Sequence, residues 1–210
     1  MKTTPATDPR VAFFNRLADS WDDSGPPVHK QLERLEELRA GLGLRPGTRV
    51  LEIGCGTGLV TGWLARQVAP GQVTAIDFSP AMLARARERH PDVTHLAWDI
   101  CDAPTPSSNH DVAFCLHVIP HFRDLDTAFR NIADSLQPDG TVVILHLSGR
   151  DHVNDVHRRI GGAVGHDLLP DANELRERLR RTGFAIEEAI DASDIFLVRA
   201  RKCAHVQDAR

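Results

Sequence analysis

The sequence predicts an α/β fold: a seven-stranded, mostly parallel sheet with helices on both faces and a terminal antiparallel hairpin. Three observations predict it. Short apolar runs alternate with helical stretches between residues 50 and 147. A glycine-rich turn joins the first of those runs to the helix after it. The last two strand-like runs are separated only by Asp191-Ala192-Ser193, which is hairpin spacing.

Val11, Phe14 and Leu17 recur at helical spacing, so residues 9–20 read as a short helix ending near Trp21. The stretch 22–27 (DDSGPP) breaks it. A second helix places Leu32, Leu35, Leu38 and Leu42 on one face and stops at Gly43. Residues 50–53 form a strand, 59–69 a helix and 73–76 a second strand closed by Asp77. Ser79-Pro80 opens the next helix, with Ser as N-cap and Pro in the first turn. Strands follow over 93–97 and 112–116, the latter continuously apolar as a central parallel strand should be. Leu125, Phe129, Ile132 and Leu136 mark a helix, and Pro138-Asp139-Gly140 turns the chain into a strand over 141–147. Asp171 and Glu174 make a capping box for a helix over 171–182, stopped by Gly183. Strands over 184–190 and 194–201 form the hairpin.

The 210 residues, 41% hydrophobic and 26% charged, suit a single domain. It divides into two lead-in helices (1–47), a core (48–202) and a tail (203–210). A net charge of −4 argues against a nucleic-acid partner bound by bulk charge. No apolar run approaches the roughly 20 residues needed to cross a membrane. The polar N-terminus carries no apolar signal core, so a cytoplasmic location is expected. Cys55, Cys101, Cys115 and Cys203 form no Cys-x-x-Cys pair and are expected as free thiols.

Gly54-Cys55-Gly56-Thr57-Gly58 follows a strand and opens a helix, where glycines permit a tight turn and close backbone approach to a ligand. The dinucleotide pattern G-x-G-x-x-G would need glycine at position 59, which is Leu59. Glu52 precedes the loop; a carboxylate there is unwelcome beside a pyrophosphate but suits a cationic ligand. Asp77 stands at the end of the second strand, where an acid can accept from both hydroxyls of a ribose.

These residues resemble class I S-adenosylmethionine-dependent methyltransferases of the small-molecule, bacterial type, which have a Rossmann-like fold. Residues 50–58 (VLEIGCGTG) look like the family's first motif, and 75–82 (AIDFSPAM) like its successor. Trp98-Asp99-Ile100 resembles the adenine-binding motif, and Leu136-Gln137-Pro138-Asp139-Gly140 the turn before strand five, with Asp139 in place of the usual glycine. The likeness covers about residues 9–202. It implies that Gly54, Gly56 and Gly58 shape the loop under the methionine moiety, and that Glu52 supports that loop and the ammonium. It further implies that Asp77 holds the ribose, Phe78 packs on the adenine, Asp99 accepts from the adenine amino group and the Ile100 backbone binds the ring edge. Leu116 would lie near the methionine tail. Residues 13–21 resemble the lid of small-molecule members, and Trp21 and Met82 complete the cofactor set. Plain core packing is the alternative for Phe78 and Ile100, and a simple cover for the sheet is the alternative for the lid.

Eleven histidines are present, seven of them between His110 and His166. A base for methyl transfer belongs near the carboxyl ends of strands four and five. His121 and His146 are placed there, and His157 follows. Pro120-His121-Phe122, His146 and residues 157–162 (HRRIGG) resemble a subgroup of small bacterial methyltransferases. The expected catalytic residues are therefore His121, His146 and His157, as a general base or as ligands of a divalent transition metal. His110, His117, His152 and His166 read as surface or supporting residues, and His29, His90, His95 and His205 as solvated. The expected activity is methyl transfer to O, N or S of a small-molecule acceptor. The alternatives are a non-catalytic S-adenosylmethionine-binding protein on the same fold and a NAD-dependent oxidoreductase; Leu59 and Glu52 speak against the latter.

Overall fold

The computed structural model describes residues 8–203. The elements in chain order are α1 (Pro9–Leu17), α2 (Val28–Leu38), β1 (Arg49–Ile53), α3 (Thr61–Val68), β2 (Gln72–Asp77), α4 (Pro80–Arg89), β3 (Thr94–Ala97), β4 (His110–Leu116), α5 (Leu125–Ser135), β5 (Leu136–His146), α6 (Arg150–Ile160), α7 (Ala172–Arg181), β6 (Phe184–Asp191) and β7 (Phe196–Lys202). The strands lie in the order β3-β2-β1-β4-β5-β7-β6. Those from β3 to β5 are parallel, and β7 runs antiparallel to both β5 and β6. The sheet is the expected seven-stranded, mostly parallel one with its terminal hairpin.

Alternation of side chains along each strand feeds two cores. Leu51, Ile53, Ala113 and Cys115 face α5 and α7, where Phe129, Ile132, Leu175 and Leu179 are buried. Val50 and Phe114 face α2 and α3, against Leu35 and Leu64. Glu52 shares the second face, which turns a carboxylate toward α3. The order reverses between β1 and β4, so the turns after these two strands part from each other and leave a crevice.

The expected caps form as read. Ser79 Oγ accepts from Met82 N, and Asp171 Oδ1 accepts from Glu174 N at 2.9 Å. The boundaries that differ most are three. The first helix stops at Leu17, the second at Leu38 with a short turn after it, and β5 begins at Leu136, whose backbone pairs with His110. One helix escaped the sequence pattern. In α6 only Val153 and Asn154 are buried, so no apolar stripe announces it. A pair of hydrogen bonds from Asn154 to the Leu169 backbone ties the following loop to α6 instead. No helix among the described residues is long and apolar enough to cross a membrane.

Phe129 is fully buried where α5 meets the sheet. Phe129→Ala should destabilise the fold by about 3–5 kcal/mol through lost burial and a residual cavity. Urea unfolding followed by circular dichroism checks this, and a loss below about 1 kcal/mol contradicts the packing.

Candidate active site

β1 delivers the chain into Gly54, Gly56 and Gly58, whose φ angles are 70°, 56° and 81°. Left-handed backbone of this kind favours glycine. Space adds a second reason at two of the three. A Cβ on Gly54 would overlap Val118, and one on Gly58 would press on Ala86 of α4. Gly54 N and Cys55 N both donate to Ile76 O, which fixes the loop across the end of β2.

Asp77 locks the arrangement. Its Oδ2 accepts from Gly56 N and its Oδ1 from Ser79 N, each at 2.8 Å. Burial pushes its pKa up to about 6, and those two N–H groups hold it from going higher. Glu52 is 2% exposed. Its Oε2 accepts from Thr61 Oγ1 at 2.7 Å, while Oε1 has no partner among the described residues. Burial, opposed by that one hydroxyl, pushes Glu52 up to about 8.

His90 was expected in solvent, but it is half-buried on the loop's outer side. Its Nε2 lies 2.9 Å from Gly58 O, and its ring occupies the space over Gly62 that a Cβ would take. The signal for this was weak: a lone histidine at the end of a helix, with only a distant glycine to receive it.

The crevice holds a cavity of about 130 Å³. Of the cofactor residues expected from sequence, Trp21, Glu52, Gly54, Gly56, Asp77, Phe78, Met82 and Leu116 line it. Three do not. Gly58 shapes the loop from behind. Ile100 is buried in the α5 core, with its carbonyl accepting from Asn131 Nδ2. Asp99 receives Arg123 Nη2 at 2.7 Å and Cys101 N at 2.8 Å. A roof covers one side of the cavity. That roof is α1 and the turn after it. Phe14 stacks edge-on against Phe78 and Trp21, with ring centroids 5.7 and 5.4 Å apart. Asn15 Oδ1 accepts from Ser79 Oγ at 2.8 Å and so hooks α1 onto α4.

Across the cavity stand His117 and His121. His121 Nδ1 is 2.8 Å from Asp167 Oδ2, and its ring meets Phe14 at 5.0 Å. Asp167 is itself positioned by its carbonyl, which bonds to His157 Nδ1, and by Arg10, 3.9 Å from its other oxygen. Arg10 also donates to His121 O at 2.9 Å. His157 and His146 do not reach the cavity wall: His157 packs on His121, and His146 touches His117. Asp167 was not singled out from sequence, because 46 residues separate it from His121 and no motif spacing links them.

The expected metal at His121, His146 and His157 finds no support. Among the described residues no group of three His, Cys, Asp or Glu side chains is disposed to hold a metal ion. The three rings are engaged with other partners through Nδ1. His121 and His157 both turn Nδ1 to Asp167, whereas His146 turns Nδ1 away from them to His117.

Residues 51–144, from β1 through the glycine loop to β5, match the model of a methyltransferase domain. The chain belongs to the class I S-adenosylmethionine-dependent methyltransferases. A malonyl-[acyl-carrier protein] O-methyltransferase of Halorhodospira halophila is 27% identical over 203 residues, covering 94% of this chain and 68% of the relative. A ubiquinone biosynthesis O-methyltransferase of Xanthomonas campestris is 35% identical over 149 residues, covering 67% of this chain. The chain spans 60% of that relative's length. The solved N-methyltransferase NodS of Bradyrhizobium japonicum, in complex with S-adenosyl-L-homocysteine, shares the fold: its TM-score is 0.67 at 22% identity, over 93% of this chain and 98% of its own.

The residues of this methyltransferase fit the family's cofactor. A bare, buried Glu52 Oε1 on the cavity wall suits an ammonium, and the positive-φ glycines leave backbone open to close approach. Glu52 also gives the site a pH signature. Its ordinary value is 4.5 and its value in the fold is about 8, so the ligand-free fold loses stability as pH rises through that interval. A cation favours the ionised form and expels the proton. Affinity for S-adenosylmethionine should therefore rise between about pH 7 and pH 9, and this rise should flatten in Glu52→Gln. Titration calorimetry across that range decides it; parallel pH profiles for the two proteins would refute the assignment.

Proposed function

We propose that this methyltransferase moves a methyl group from S-adenosylmethionine to an oxygen, nitrogen or sulfur atom of a small-molecule acceptor, with His121 as general base. The observation that carries the acceptor half is the His121–Asp167 pair on the cavity wall. A carboxylate on Nδ1 selects the tautomer with hydrogen on that nitrogen and leaves the Nε2 lone pair free. Two relatives are O-methyltransferases by name, which favours oxygen.

When bound, the cofactor supplies an electrophilic methyl on a positively charged sulfur. The chain's own residues bind, align and exclude water. Gly54 and Gly56 bring bare backbone to the methionine moiety, and Glu52 Oε1 accepts from its ammonium. Asp77 keeps lone pairs on both oxygens for the ribose hydroxyls. Phe78, Met82 and Trp21 wall the base, and Leu116 flanks the tail. Asp99 and Ile100 reach the adenine only if Arg123 yields and the roof lifts. His121 Nε2 takes the acceptor's proton while α1 shuts out solvent. His157 and Arg10 hold Asp167 and His121 in register. Free thiols at all four cysteines fit the reducing cytoplasm.

Asp77→Ala should weaken S-adenosylhomocysteine binding by about 1.5–3 kcal/mol; unchanged calorimetric affinity would overturn the ribose role. His121→Ala should lower turnover about 10²-fold or more, with cofactor affinity unchanged, and Asp167→Asn should show a smaller loss. Release of S-adenosylhomocysteine from a panel of small phenols, amines and thiols measures both. Full rate in His121→Ala would make the histidine structural.

A further inference from the structure

His117 and His146 have no task in the reaction as described. His117 sits directly after β4 with φ 57°, a left-handed conformation it shares only with Asp139 among the described non-glycine residues. That backbone is strained for a residue with a side chain, and the ring lines the cavity. His146 closes β5 at 1% exposure, edge-on to Phe196. The two imidazoles meet Nδ1 to Nδ1 at 3.4 Å.

Two nitrogens at that separation share one hydrogen. Burial, together with the neighbouring His117, His121 and His157, keeps His146 neutral, so it carries a single N–H. Its Nε2 is buried without a partner. A hydrogen on Nε2 would be an orphaned buried donor, the rarer kind of unpaired group. A hydrogen on Nδ1 instead donates to His117 Nδ1 and leaves only a lone pair bare. The second state is favoured. His117 then accepts at Nδ1 and carries its own hydrogen on Nε2, on the side of the ring away from His146.

We propose that His117, set in its Nε2–H tautomer by His146, is a specificity-determining hydrogen-bond donor for an acceptor that carries a second oxygen beside the atom methylated. This rests on the reading of His121 as base. Both rings line the cavity, and on this reading His121 has a lone pair at Nε2 and His117 an N–H at Nε2. A lone hydroxyl answers only the first. Two neighbouring oxygens, one of them ionisable, answer both. A vicinal dihydroxyarene has that chemistry: one hydroxyl gives its proton to His121 and the other oxygen accepts from His117.

Two measurements on the full chain test the proposal. Long-range proton–nitrogen correlation on protein labelled with ¹⁵N-histidine reads each tautomer, with His117 assigned by the signals lost in His117→Asn. The Nε2–H form is expected; an Nδ1–H form overturns the proposal. Initial rates of S-adenosylhomocysteine formation are then compared for phenol, 1,2-dihydroxybenzene and benzoic acid. 1,2-Dihydroxybenzene should exceed phenol about tenfold in kcat/KM, whereas benzoic acid, ionised near neutrality and with no proton for His121, should not. The ratio should fall to about one in His117→Phe and persist in His117→Gln, which keeps an N–H near the same place. Turnover without preference, or a preference that survives His117→Phe, overturns this inference alone. No product from any probe overturns it together with the proposed reaction.

Discussion

Asp77 joins the glycine loop to the start of α4 through one carboxylate, with Gly56 on one oxygen and Ser79 on the other. A second acid, Glu52, is buried beside it with only Thr61 for support. Burial raises both pKa values, and two N–H groups on Asp77 against one hydroxyl on Glu52 leave them at about 6 and about 8. At neutral pH one is mainly a charged acceptor, and the other mostly holds a proton that it can surrender to a cation. The loop's shape and the proposed preference for a positively charged nucleoside thus trace to the same pair of side chains.

A polar network joins the remaining parts. Arg10 binds Asp8, the His121 carbonyl and Asp167, while Arg123 binds Asp99 and Asp102 and stands 3.6 Å from Asp8. The start of α1, His121 and the loop after β3 are therefore held in one electrostatic set. Displacing α1 loosens all three.

The parts of this site legible in the sequence are those fixed by local geometry. Glycines at 54, 56 and 58 announce a turn that only they can make, and Asp77 is placed by the end of a recognisable strand. Ser79 and Asp171 declare their helices through capping chemistry. The opaque parts depend on contacts between distant residues. α6 lacks an apolar stripe because its ties to the rest run through Asn154. Asp167 gains its role only when the loop after α6 folds back onto His121. His117 and His146 are ordinary strand-end residues in sequence, and only the register of β4 against β5 makes them neighbours.

α1 and the turn Gly162–Val164 bury Phe14, Ala18, Met82 and Val164 in a cluster of their own, apart from the cores on the two sheet faces. So small a cluster opens at a fraction of the global unfolding free energy. A nucleoside beneath it adds its own flat apolar face to those contacts, so bound molecule and cover stiffen each other. The cover over the crevice is thus held by contacts separate from those that hold the sheet, and Phe14 belongs both to that cover and to the cavity wall.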